Sequence, residues 1–284
     1  MKLKMSRRKN FLALIFLLGF YTAVSQKLPN KQESNIFAPS NVKIDGIPSE
    51  WNNQFKAFNN ATELFYTVAN DDNNLYFVIQ AKNPRVIEKL IQVGIKITIN
   101  KLGKKDDAGP ETASLIYPNI DVKTSGKIIM YAGAKAKPSI PLPPRPPGMP
   151  VDSNYDKPIL KTNDSLRTLA NEILARSSNV IQVVGLKDIP DGEMSIYNEQ
   201  RILVAERFDN TAAYTYELAL PLKYLGLDKS HNHFAYNFKI EGRLTNPKHG
   251  MRVDYVYIDN RRVDVDQDLD SATDFWADYT LAQK

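Results

Sequence analysis

The chain has no cysteine. That excludes disulfide staples, thiolate metal sites, a cysteine nucleophile and a lipidated N-terminal cysteine. Histidine is scarce, with three in 284 residues, and glycine numbers only 13. Accordingly there is no Gly-x-Ser-x-Gly elbow, no His-Glu-x-x-His pair and no glycine-rich phosphate loop. Nor is there an apolar run of the roughly 18–20 residues that a membrane span needs.

The nearest thing to such a run is at the N-terminus, where it reads as a secretory signal. Lys2, Lys4, Arg7, Arg8 and Lys9 form a basic region, Phe11 to Phe20 an apolar one, and Ala23-Val24-Ser25 a small-x-small cleavage site before Gln26. Residues 1–25 are therefore expected to be removed, leaving no membrane span and placing the protein in a periplasm or outside the cell. They hold five of the 37 Lys and Arg and none of the 32 acids, so the remainder carries 32 of each and a formal net charge of zero. The basic balance of the whole chain belongs to the targeting segment. A basic footprint for nucleic acid is absent.

Residues 26–40 are polar, contain Pro and Ser, and read as a loose leader. From there the dominant period is two. Leu64, Tyr66 and Val68 alternate with Phe65, Thr67 and Ala69; Ile95, Ile97 and Ile99 with Lys96, Thr98 and Asn100; Phe234, Tyr236, Phe238 and Ile240 with Ala235, Asn237, Lys239 and Glu241; Val253, Tyr255 and Tyr257 follow the same rule. Strict alternation predicts strands with one buried and one wetter face. The Asp71–Asn74 cluster between apolar runs predicts a hairpin turn. Asn163, Asp164 or Ser165 can cap a helix whose Leu166, Leu169, Ala170, Ile173 and Leu174 share a face. Pro138 to Pro150 is proline-rich and excluded from a central strand, because proline lacks a ladder donor. The expected fold is all-β: a two-sheet, mainly antiparallel β-sandwich over residues 41–284, with helical and proline-rich insertions within 103–178. Tyr66, Phe77, Ile97, Leu218 and Phe238 are expected in its core.

Three motifs occur in order: Ile44-Asp45-Gly46 with Glu50-Trp51, Asp71-Asp72 with Leu75-Tyr76, and Tyr214 with Glu217-Leu218-Ala219-Leu220-Pro221. In this order and spacing the chain resembles the family 9 carbohydrate-binding-module and DOMON-like β-sandwiches. The resemblance covers the start and last third of the chain beyond residue 25. It implies the sandwich fold and a binding role toward carbohydrate; some carbohydrate modules of this kind hold structural calcium, and haem-binding DOMON relatives use axial ligands that cannot be assigned here.

The C-terminal stretch concentrates the remaining chemistry. Asp264, Asp266, Asp268 and Asp270 recur at every second residue and would share one face of an extended segment, where a hard cation such as calcium would relieve their repulsion. The segment is not an EF-hand loop, since Leu269 occupies the glycine position and Phe275 that of the bidentate Glu. Solvated acids are the simpler reading. Trp276 and Tyr279 follow, and an aromatic face beside carboxylates suits a sugar, whose C–H faces stack while its hydroxyls need acceptors. Tyr255, Tyr257 and Arg252 are expected on an adjacent strand. The simpler reading of Trp276 is packing of the chain end, and that of Trp51 is a core ring. His231 and His233 lie in a turn-like stretch without a third zinc ligand in view.

These observations favour a secreted, non-enzymatic protein that binds carbohydrate or a related cell-surface polymer. The alternative is an envelope structural or assembly protein that binds other proteins. A glycan-active enzyme comes third, because a glycosidase needs only two carboxylates whose pairing a sequence does not reveal; no catalytic residue is assigned.

Overall fold

The computed structural model describes residues 27–133, 163–242, 255–258, 261–264 and 267–284. The signal segment, the proline-rich stretch from Pro138 to Pro150, Arg252 and Asp266 lie outside them. Two antiparallel sheets face one another, as the alternation predicts. The first contains β1 (Ala57–Asn59), β2 (Leu64–Asn70), β3 (Asn74–Ala81), β8 (Leu203–Phe208) and β9 (Tyr214–Pro221), in the order β1-β2-β3-β9-β8. The second contains β4 (Ile95–Asn100), β5 (Thr112–Tyr117), β6 (Val180–Val184), β7 (Gly192–Ser195), β10 (His233–Ile240) and β13 (Thr273–Thr280), in the order β13-β10-β4-β5-β6-β7. A separate two-stranded ribbon pairs β11 (Tyr255–Ile258) with β12 (Arg261–Asp264).

The inward sets of both sheets meet in one core. Tyr66, Phe77, Ile97, Leu218 and Phe238 are all 0% exposed. Aromatic rings fill the centre, with Phe238 5.3 Å from Tyr66 and from Phe275 and 5.6 Å from Phe77 between centroids. Each such side chain contributes roughly 1.5–3 kcal/mol when fully buried. Every residue of β9 is buried, including those facing away from this core. The reason is a second apolar layer on the outer face of the five-stranded sheet, where Ala38, Trp51, Ala69, Tyr76, Val78 and Ala219 are packed by Ile36, Val42, Ile44 and Phe55. Trp51 is thus a packing residue, its ring 6.2 Å from that of Tyr76.

The leader is not loose. Gln32 is buried and its carboxamide acts as a strand: Nε2 donates to the Val68 carbonyl at 2.7 Å and Oε1 accepts the Val68 N–H at 2.8 Å. Further on, the Asn70 N–H donates to the Ile36 carbonyl at 3.1 Å and the Ala38 N–H to the Asn70 carbonyl at 2.7 Å. The unpaired edge of β2 is what recruits these residues, since buried ladder groups must find partners.

Among the described residues four α-helices complete the fold: α1 (Pro84–Val93), α2 (Val122–Gly133), α3 (Asn163–Ser177) and the short α4 (Gln267–Asp270). The alternation does not announce α1, but its start has a physical cause. Asn83 caps it by accepting the Arg85 N–H at 3.0 Å, Pro84 occupies the first turn, and Ile87, Leu90 and Ile91 are buried. The stretch 103–178 is only partly insertion, because β5 lies within it and forms the middle of the six-stranded sheet between β4 and β6. Helices α2 and α3 pack together, and α3 covers edge strand β8. Its Asn171 carboxamide pairs with Phe208 on that edge, accepting the N–H at 2.8 Å and donating to the carbonyl at 3.0 Å.

Candidate functional site

The two tryptophans have opposite environments. Trp51 is buried at 7% exposure, whereas Trp276 is half-buried and lies on the outer face of the six-stranded sheet. Alternation along β13 explains this: Phe275, Ala277 and Tyr279 point into the core, so Trp276 points away from it. Register then fixes its neighbours. Trp276 is opposite Asn237 on β10, Asn237 opposite Thr98 on β4, and Thr98 opposite Ser114 on β5. The result is a strip that runs from an indole ring across an amide and two hydroxyls.

Asn237 and Thr98 are 3% and 1% exposed although they belong to the outer face. The loop between β4 and β5 folds back over the sheet and shelters them. Asn100 Nδ2 donates to the Asp106 carbonyl at 3.0 Å, Lys96 pairs with Asp107 at 3.6 Å, and Lys105 reaches Asp278 on β13 at 3.2 Å. Asn237 Nδ2 is held by Asp274 Oδ2 and the Phe275 carbonyl, both at 2.9 Å. The Thr98 hydroxyl is buried with no hydrogen-bond partner. A buried polar atom left unpaired costs roughly 1–3 kcal/mol, so a built fold that retains one is notable.

Electrostatically the strip is balanced. Lys239 bonds Glu241 at 2.7 Å, and this pairing holds the ammonium pKa above its ordinary value against the opposing effect of burial. With Lys96 and Lys105 also paired, the face carries no concentrated field of either sign. Such a surface suits a neutral, hydroxyl-rich ligand better than a charged one.

The other residues singled out from the sequence are not brought together in this way. The strand beside Trp276 is β10; Tyr255 and Tyr257 belong to β11, which pairs with β12. Arg252 and Asp266 lie outside the described residues. Asp264 ends β12, while Asp268 and Asp270 belong to α4. The extended backbone on which the four acids would alternate is interrupted by α4 at Gln267–Asp270. Asp270 is itself buried at 5% exposure. Among the described residues no group of three or more His, Asp or Glu is placed to hold a metal ion. Of the histidines, His231 is exposed in a turn organised by Asp228, and His233 opens β10 with Nδ1 3.1 Å from Thr280 Oγ1.

A larger concavity of 1140 Å³ opens at one end of the sandwich, lined among others by Asp71, Asn73, Lys187, Arg201, Lys223 and Asp228. No aromatic side chain lines it. Two of its acids are occupied: Asp71 accepts the N–H groups of Asn73 and Asn74 at 2.7 and 2.6 Å and the Tyr76 hydroxyl at 2.6 Å, and Asp228 accepts from Ser230 and His231. This is turn chemistry. The Trp276 strip has the aromatic face that the concavity lacks, beside a buried hydroxyl without a partner.

No family model matches the chain, and no curated protein matches it. Among solved structures it is similar to a family 9 carbohydrate-binding module from Caldicellulosiruptor kristjanssonii in complex with glucose, at 10% identity over 88% of this chain and 96% of that chain, with a TM-score of 0.36. So loose a superposition transfers no residue roles; the two-sheet architecture stands on this chain's own strand pairing. Among the described residues no helix is long and apolar enough to cross a membrane.

Proposed function

We propose that this is an exported, non-enzymatic binding protein that holds a neutral carbohydrate, or a related cell-surface polymer, on the outer face of its six-stranded sheet. Trp276 is the stacking platform. The Asn237 carbonyl oxygen and the Thr98 hydroxyl are the polar contacts beside it. One observation carries the reading: an outward indole in direct register with a buried amide and an unpartnered buried hydroxyl. The sequence motifs shared with carbohydrate-binding sandwiches point the same way, and the N-terminal pattern of residues 1–25 supports export. No pair of carboxylates is assigned a catalytic role. Glycan-array screening of the protein lacking residues 1–25, followed by titration of any hit against Trp276→Ala, tests the proposal. Binding undiminished in the folded variant would refute it.

A specific observation supports assembly with an envelope protein as the second reading. Tyr197 is 81% exposed, yet its loop is fixed: Asn198 Nδ2 donates to the Ile202 carbonyl at 2.8 Å and Oδ1 accepts the Ile202 N–H at 3.0 Å. A rigidly presented aromatic is a good anchor for a protein partner. Envelope extract drawn over the immobilised protein and its Tyr197→Ser variant would separate this reading from glycan binding.

A further inference from the structure

At the margin of the sandwich a half-buried acid faces inward that the outer face does not use. Glu206 is on edge strand β8, directly opposite Tyr216 of β9, and points between the sheets. The Tyr214 hydroxyl donates to its Oε2. Its Oε1 is shut off from water and has no partner, as are the hydroxyls of Tyr216 and Ser178. Tyr117 of β5 closes the cluster: its ring is 5.9 Å from that of Tyr216, and its hydroxyl donates to the Ser178 carbonyl at 3.1 Å. Ser178 is the first residue past α3, its N–H bonded to the Leu174 carbonyl at 3.0 Å, so the carboxyl faces the carbonyl end of that helix.

Among the described residues no cation answers it. On α3, Arg167 pairs with Asp164 at 2.6 Å and Arg176 with Glu172 at 4.0 Å. Strands β5 and β6 carry no charged residue. Arg207 and Glu217, next to the cluster on β8 and β9, project from the opposite sheet face. A carboxylate here would have the hydroxyls of Tyr214, Ser178 and Tyr117 beside it but, among the described residues, no counter-ion, and a helix dipole of the wrong sign. A carboxylic acid would instead carry an O–H able to satisfy one of the neighbouring unpartnered oxygens.

We propose that Glu206 is a proton-operated latch: the neutral acid seats edge strand β8 and the end of α3 against β5, and loss of the proton loosens that seat. Burial pushes the Glu206 pKa up to about 7, against the opposing hydroxyls of Ser178, Tyr214 and Tyr117. The folded chain thus holds this proton more tightly than the unfolded chain does. The stabilisation is full below the unfolded carboxyl value of about 4.3 and is lost as pH rises through about 7. Glu206 would then tighten the fold in acidic surroundings and relax it in neutral or alkaline ones.

Hydrogen exchange resolved by segment at pH 5.5 and 8.5, corrected for intrinsic rates, tests the latch on the protein and on Glu206→Gln. In the unmodified protein the amides of β8 and the last turn of α3 should open roughly tenfold more often at the higher pH, the scale expected of a shift of about one pKa unit or more. Glu206→Gln, which cannot ionise at that position, should lose most of this response in the last turn of α3; Glu217 of β9, also raised to about 7 by burial, projects from the opposite sheet face and remains. Equal opening at both pH values in the unmodified protein would overturn the latch whether or not the variant folds; so would an unchanged pH response in a folded variant.

Discussion

The carboxylate of Glu217 accepts the backbone N–H of Gly46 at 2.9 Å, and through the same oxygen that of Asp45 at 3.1 Å. Two motifs 171 residues apart in the chain are thereby one structural unit: strand β9 supplies the acceptor and the opening turn supplies the donors. Gly46 has φ +77°, and a Cβ there would lie 2.7 Å from Arg207 Cβ. Glycine is required on both counts, conformation and approach.

From this follows a stability test. Glu217→Ala should cost about 2–4 kcal/mol, because it strands two backbone donors and empties the buried position of their acceptor. Glu217→Gln keeps one acceptor oxygen in place and should lose about half as much. Gly46→Ala should cost about 1–3 kcal/mol from its backbone conformation and the clash with β8. Urea denaturation of the three variants gives the ranking; an Ala variant at position 217 as stable as the parent would show that the junction is decorative.

The leader offers a second test. Gln32→Ala removes both carboxamide bonds to Val68 and leaves a buried N–H and C=O without partners, so a loss of about 2–3 kcal/mol is expected. Its melting temperature should fall by roughly 5–10 °C, on the scale of 2–4 °C per kcal/mol for chains of 150–250 residues. A leader that merely rests on the surface would show no such fall.

Trp276 separates function from packing. The outward ring is half-buried, so Trp276→Ala should cost less than the roughly 3–5 kcal/mol of a truncated core aromatic. If it stacks on a sugar, glycan affinity should drop by roughly 1–3 kcal/mol, the range found when aromatic platforms for other ring ligands are removed. Thermal melting and titration on the same sample read the two effects independently. A large fall in melting temperature with affinity intact would return Trp276 to packing.

The legible part of the fold is the part governed by local period. Tyr66, Phe77, Ile97, Leu218 and Phe238 were identifiable because a two-residue alternation leaves one arrangement that hides them all. Gln32 was not, because its carboxamide substitutes for a strand contributed from 36 residues away. Nothing about a polar leader signals that. Strand β5 hid behind the charged loop that precedes it, and α1 behind a cap, Asn83-Pro84, that directly continues an apolar strand. At the proposed site, Trp276 is legible as a large aromatic near acids. Thr98 and Asn237 were read only as the wetter side of their strands; the available hint was Asn237 itself, an amide that strands disfavour, at the centre of an aromatic run. Spacing in sequence equals spacing in space only while the chain stays extended, and in the acidic series α4 interrupts it.

The sharpest prediction concerns Thr98. Its side chain is 1% exposed and its hydroxyl unpartnered. Thr98→Val replaces that hydroxyl by a methyl of nearly the same shape. By packing and solvation alone the exchange should be neutral or stabilising, by up to about 1 kcal/mol, since it removes an unsatisfied buried group rather than creating one. If the hydroxyl is there to meet a ligand, the same variant should bind glycan more weakly, by about 0.5–1.5 kcal/mol for one lost hydrogen bond. Stability and affinity would then move in opposite directions, which few substitutions outside a binding site do. Asn237→Ala makes the contrast, because it also strips Asp274 and the Phe275 carbonyl of their shared donor and should lose both. Calorimetric titration beside urea denaturation on the two variants reads the outcome. A Thr98→Val protein that is more stable and binds as tightly as the parent would remove the hydroxyl from the site and leave the strip as a buried imperfection of the sheet.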